Sequence, residues 1–153
     1  MRAKLPTLQN CKGGSDKCGS RKCKVCNVLR TTETFSDKSG REYQIKTNKV
    51  LDCNSRYIVY LVECKRCKIQ YVGSAKTMFR DRLNNYKTSH RNFIANKYVT
   101  QQSFYEHFNS NGHNGMSDWS FTLIDQAESL QLVRRKESFW QYQLNTFAPN
   151  GLN

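Results

Sequence analysis

Residues 58–73 read IVYLVECKRCKIQYVG. Two apolar runs, one holding Tyr60 and the other Tyr71, flank a basic stretch with a Cys-x2-Cys pair, Cys64 and Cys67. Short runs of β-branched and aromatic residues separated by a polar turn predict a β-hairpin. The tyrosines lie eleven residues apart, so a turn between them brings their strands side by side. Both hydroxyls then have a route to one shallow site.

The flanking sequence extends the pattern. REYQIKTNKV (41–50) alternates as a short strand. TMFRDRLNNYKTS (77–89) spaces Phe79, Leu83 and Tyr86 as one helix face. QQSFYEHFNS (101–110) predicts a second helix, stopped at Asn111-Gly112. DWSFTLID (118–125) alternates as a third core strand. ESLQLVRRKESFWQYQLNTF (128–147) is the longest helical pattern and ends at Pro149-Asn150-Gly151. No internal repeat is visible. The order β-β-α-α-β-α predicts an α+β fold, a small antiparallel sheet of about three core strands flanked by helices.

Charge narrows the partner. Lys and Arg number 25 against 12 Asp and Glu, a net charge of +13. Residues 1–90 hold 20 basic and 7 acidic side chains, and residues 91–153 hold 5 of each. The surplus therefore lies in the first ninety residues, a field suited to polyanions. Nucleic acid is favoured over an anionic membrane, because no basic amphipathic helix has a broad apolar face. No secretory leader is visible, nor an apolar run near the ~18 residues of a membrane span. A soluble, intracellular protein is expected, with neither a membrane nor a small-molecule substrate.

In that setting the seven cysteines read as metal ligands rather than disulfides. Cys64 and Cys67 with His107 and His113 supply two thiolates and two imidazoles, enough for a closed, structural zinc site. His90 is a spare candidate, and free thiols with surface histidines are the plain alternative. Cys18-x4-Cys23-x2-Cys26 needs a fourth ligand, Cys53 by preference or Cys11. Residues 1–30 hold too few large apolar residues for a core of their own, so CGSRKCKVC is expected to be ordered by zinc. The chain divides into a basic, cysteine-rich linker (1–54) and a folded domain (55–153).

One carboxylate is out of place. The apolar stripe of the last helix runs Leu130, Val133, Trp140, Leu144, and Glu137 interrupts it. Burying a carboxylate is costly unless it is paired or binds a metal. Glu137 either forms an ion pair with an arginine, is rotated towards solvent, or holds Mg2+. On the earlier helix, Arg82 and Tyr86 are one turn apart. That guanidinium either holds a phosphate bidentately or lies on the surface.

Together these features resemble the GIY-YIG nuclease superfamily over residues 55–153. IVY…YVG resembles its two signature strands, with Ile58 where the first signature has glycine. Tyr60 and Tyr71 match the signature tyrosines, and Arg82 the family arginine, with Arg80 as fallback. Tyr86 follows one turn later, Glu137 matches the metal-binding glutamate, and PNGLN supplies the asparagine, Asn153 or else Asn150. CKRC, HFNSNGH and the final GLN further resemble the endonuclease domain of Penelope-like retroelements, which carries a Cys-Cys-His-His site.

The resemblance implies metal-dependent DNA endonuclease chemistry that nicks one strand. Tyr60 or Tyr71 would be general base, Glu137 would hold Mg2+ or Mn2+, and Arg82 would stabilise the transition state. Tyr86 and Asn153 would orient water, phosphate or metal. It also implies a nuclear location and a reverse transcriptase, with its RNA, as partner. The alternative is a non-catalytic, zinc-stabilised nucleic-acid-binding module.

Overall fold

The computed structural model describes residues 13–153. Its strands are β1 (Gly14–Ser15), β2 (Thr34–Ser36), β3 (Glu42–Gln44), β4 (Val50–Leu51), β5 (Ile58–Cys64), β6 (Gln70–Ala75) and β7 (Trp119–Gln126). The α-helices are α1 (Phe79–Ile94), α2 (Gln102–Phe108) and α3 (Leu130–Leu144). The central sheet is three-stranded in the order β6-β5-β7, and every pairing is antiparallel. The expected α+β fold and its β-β-α-α-β-α order are what the chain adopts.

β5 is buried on both faces, which explains its near-continuous apolar sequence. On one face Tyr60, Val62 and Tyr71 pack with Phe79, Leu83 and Tyr86 of α1 and Phe104 of α2. On the other, Val59, Leu61, Val72 and Ile124 pack with Val133 and Leu144 of α3. The sheet thus separates α1 and α2 from α3. α1 runs on to Ile94, past the expected end near residue 89. Phe93 continues the Phe79–Leu83–Tyr86 stripe and packs against the same core.

The N-terminal segment joins both cores. Val25, Leu29, Leu51 and Cys53 are buried beside α1. Phe35 and Ile45 are buried on the α3 side, where Phe35 meets the edge of the Trp140 ring. Leu29 bridges to Phe121 of β7, and the Arg30 N–H donates to the Phe121 carbonyl at 2.8 Å. Residues 41–50 form no core strand. Glu42–Gln44 pairs with β2, and Val50 opens β4, which pairs with β1.

β6 is an edge strand whose outer carbonyls nevertheless all accept hydrogen bonds. The Gln70 carbonyl accepts from Leu152 N at 2.9 Å, and the Ser74 carbonyl accepts from Arg82 Nη2 at 3.1 Å. Between them, Asn153 engages both the N–H and the carbonyl of Val72. The chain's end thereby closes an edge that would otherwise invite pairing.

Candidate active site

A cavity of about 370 Å³ opens at the β6 edge, lined by side chains of both α1 and α3. Tyr60, Tyr71, Arg82 and Glu137 line it together. The register explains the tyrosines: Tyr60 faces Gly73, and Tyr71 faces Val62. Since side chains alternate along strands, Tyr60 and Tyr71 emerge on one face as diagonal neighbours. Gly73 is required here, because a β-carbon at that position would lie 2.5 Å from the Tyr60 hydroxyl.

The hydroxyls form a buried array. Tyr60 Oη and Tyr86 Oη are hydrogen-bonded at 2.7 Å, and Tyr71 Oη accepts from Gln101 Nε2. Tyr60 is 2% exposed and Tyr71 8%, so the second signature tyrosine is nearer to solvent. Burial pushes all three phenols above their ordinary pKa. The Arg82 charge pulls Tyr60 and Tyr71 back down. Tyr86 is fully buried and does not line the cavity; it touches the site through Tyr60.

Glu137 enters from the opposite side of the sheet. Val133 and Leu144 carry the buried stripe of α3, while Glu137 lies half-buried at the stripe's margin. Its Oε1 accepts from Ser74 Oγ at 2.9 Å. It has no arginine ion pair among the described residues, which removes that structural explanation. Glu137 is the one carboxylate lining the cavity, and the other side-chain oxygens there are the hydroxyls of Tyr60, Tyr71 and Ser74 and the Gln101 amide. Such a donor set fits a hard cation like Mg2+ or Mn2+ and not a thiophilic one. Arg82 donates one Nη2 bond to the Ser74 carbonyl and keeps a buried Nε with no partner.

A family model described as the GIY-YIG catalytic domain matches residues 56–150. The chain belongs to the GIY-YIG nuclease family. Among solved structures, one titled "Structure of the Catalytic Domain of Homing Endonuclease I-TevI" is 22% identical, over 62% of this chain and 94% of that one, with a TM-score of 0.46. None of the curated proteins matches.

Within this GIY-YIG fold, Arg80 and Arg82 separate cleanly. Arg82 faces the cavity, whereas Arg80 points away, donating to Asn54 Oδ1 at 2.7 Å and reaching Cys18 Sγ at 3.7 Å. Asn153, expected to orient water, phosphate or metal, is placed otherwise. Its Oδ1 accepts from Val72 N at 2.8 Å and Thr146 Oγ1 at 2.6 Å, and its Nδ2 donates to the Val72 carbonyl at 2.9 Å. With its amide spent on the strand between Tyr71 and Gly73, Asn153 holds the tyrosine strand in place. Asn150 is exposed.

Both cysteine groups assemble. The ligand atoms of Cys18, Cys23, Cys26 and Cys53 lie within 4.8 Å of one another, as do those of Cys64, Cys67, His107 and His113. The first choice for a fourth residue, Cys53, completes the first group, and Cys11 lies outside the described residues. Sulfur separations of 3.5 Å (Cys18–Cys26) and 3.4 Å (Cys26–Cys53) are far beyond a disulfide bond. Burial opposes ionisation of Cys23, but the Val25 N–H, the neighbouring thiols and Arg80 bring it down to about 6. In the second group, His113 Nε2 is buried without a partner, as a metal-binding nitrogen needs to be. His90 stays outside it, 3.2 Å from Asn109.

The sequence reading missed five residues of the cavity wall besides Gly73: Ser74, Lys76, Gln101, Leu130 and Arg134. Ser74 had a signal available, since it sits beside the signature glycine on the edge strand. Gln101 had none, because the fold alone brings it to Tyr71.

Proposed function

We propose that this chain is a divalent-metal-dependent DNA endonuclease that hydrolyses one phosphodiester bond per event. The observation carrying this reading is the convergence of Tyr60, Tyr71, Arg82 and Glu137 on one cavity in a strongly basic chain. The Glu137 carboxylate, oriented by Ser74, would hold Mg2+ or Mn2+. When bound, that ion supplies charge neutralisation at the phosphoryl and leaving oxygens.

The chain's own residues account for the rest. Arg82 keeps an unpartnered Nε beside the cavity and would stabilise the negative charge that builds on the phosphoryl group. Tyr60 or Tyr71 would take the proton of the attacking water. Burial resists phenolate formation, so Arg82 is needed to make either tyrosine a base. Tyr86 would fix the Tyr60 hydroxyl through their 2.7 Å hydrogen bond. One carboxylate and one cavity support nicking of a single strand.

Zn2+ in each cysteine group would be structural. One staples the β5–β6 turn to the end of α2. The other ties residues 18–53 to α1 through Arg80. The Cys64–Cys67–His107–His113 group, with CKRC, HFNSNGH and GLN, supports a Penelope-like retroelement endonuclease. Its nick would serve a reverse transcriptase as primer site in the nucleus.

Incubating supercoiled plasmid with the purified chain tests the activity. Nicked circles with Mg2+ or Mn2+, and none without added divalent ion, are expected. Intact plasmid with either ion, despite DNA binding, would leave the non-catalytic binding module.

A further inference from the structure

The catalytic cavity carries more positive charge than its chemistry uses. Lys76, from the segment after β6, and Arg134, on α3, line it together with Arg82 and Glu137. Three cations against one carboxylate leave two uncompensated charges before any metal binds. Neither Lys76 nor Arg134 has a hydrogen-bond or ion-pair partner among the described residues, although Glu137 shares their cavity. The neighbouring Lys136 behaves differently, donating to Asp125 Oδ1 at 3.0 Å and to the Gln126 carbonyl at 2.6 Å. Both side chains are exposed and solvated, and convergent, unpaired cations at the mouth of a cleft focus a positive potential that draws anions to it.

Arg134 also borders a second depression, of about 690 Å³, lined by Leu130, Gln131, Arg134, Arg135 and Ser138. These residues recur at helical spacing along one face of α3, so the two hollows share the Leu130–Arg134 ridge. Arg135, in the second hollow, likewise has no partner among the described residues.

We propose that Lys76, Arg134 and Arg135 form a backbone track that holds the phosphates flanking the scissile one on the cut strand. Lys76 and Arg134 grip the phosphate beside the cavity, and Arg135 meets the next along α3. These are positioning residues: they set where the strand lies and carry no proton. The inference rests on the nuclease reading for the word "cut" but not for the binding it describes.

The test is DNA affinity against salt concentration for a short duplex, measured without divalent ion by fluorescence anisotropy. Lys76→Gln, Arg134→Gln and Arg135→Gln are compared with the unaltered chain. Each removed contact should lower the salt slope by about 0.9 and weaken binding roughly 5–10-fold near 0.1 M salt. Thermal midpoints should stay unchanged, and Arg134→Lys should recover the slope. Unaltered slopes in all three variants overturn the track. Plasmid cleavage is scored separately. Lowered slopes without cleavage by the unaltered chain would end the nuclease reading and keep the track; cleavage with unaltered slopes would do the reverse.

Discussion

The Tyr60 phenol lies over Gly73, so closely that a β-carbon there would sit 2.5 Å from the hydroxyl oxygen. The second signature's glycine is thus the floor on which the first signature's tyrosine rests. Gly73→Ala should displace Tyr60 and cost about 1–3 kcal/mol of stability by overpacking. Nicking should fall at least tenfold, roughly the rate cost of 1.4 kcal/mol at the barrier. A Gly73→Ala protein with normal thermal midpoint and normal rate would show that the ring has room to move.

Asn153 supports the same strand from its outer edge. Asn153→Ala removes three hydrogen bonds and should destabilise by about 2–3 kcal/mol, at about 1 kcal/mol each. Asn153→Asp keeps the acceptor oxygens, loses the amide donor to Val72, and should fall between. Urea denaturation reads both. Full stability in the alanine variant would return Asn153 to a direct role in the cavity.

Buried phenols make stability depend on alkaline pH. Tyr60, Tyr71 and Tyr86 have folded pKa values raised by burial, against about 10 when unfolded. Their contribution is therefore fully present below pH about 10 and lost as pH rises through the folded values. Ultraviolet titration should show these three phenols ionising above the ordinary tyrosine value of about 10. Tyr86→Phe should remove one of these late-ionising phenols. Ionisation of Tyr60, Tyr71 and Tyr86 near the ordinary value of about 10 would contradict the buried array.

Much of this site is readable from local pattern. The hairpin, the Tyr60–Tyr71 pairing, the Arg82 face and Glu137 on an apolar stripe each rest on period-2 or period-3.6 spacing. Lys76, Gln101 and Arg134 reach the cavity from three separate segments, and no local period joins them. Sequence does not show that Asn153 bonds along the β6 edge, because no local period links it to Val72. The N-terminal segment looked too poor in apolar residues to pack alone. In the fold it does not pack alone: Val25, Leu29 and Phe35 enter cores built by the rest of the chain.

The two cysteine groups predict a metal count. Purified protein should hold two zinc ions per chain, one for each cluster of four ligands. Cys53→Ser should leave one, with a lower thermal midpoint, because the Cys53 side chain is buried in the core beside α1. His113→Ala should leave the other. Elemental analysis showing unchanged zinc in either variant would remove that residue from its site.

Glu137 is the residue proposed to make this basic fold a nuclease. Supercoiled plasmid with Mg2+ should be nicked by the unaltered chain, whereas Glu137→Ala should lose nicking while keeping DNA affinity and zinc content. Equal nicking by both proteins would contradict the account and place the chemistry elsewhere.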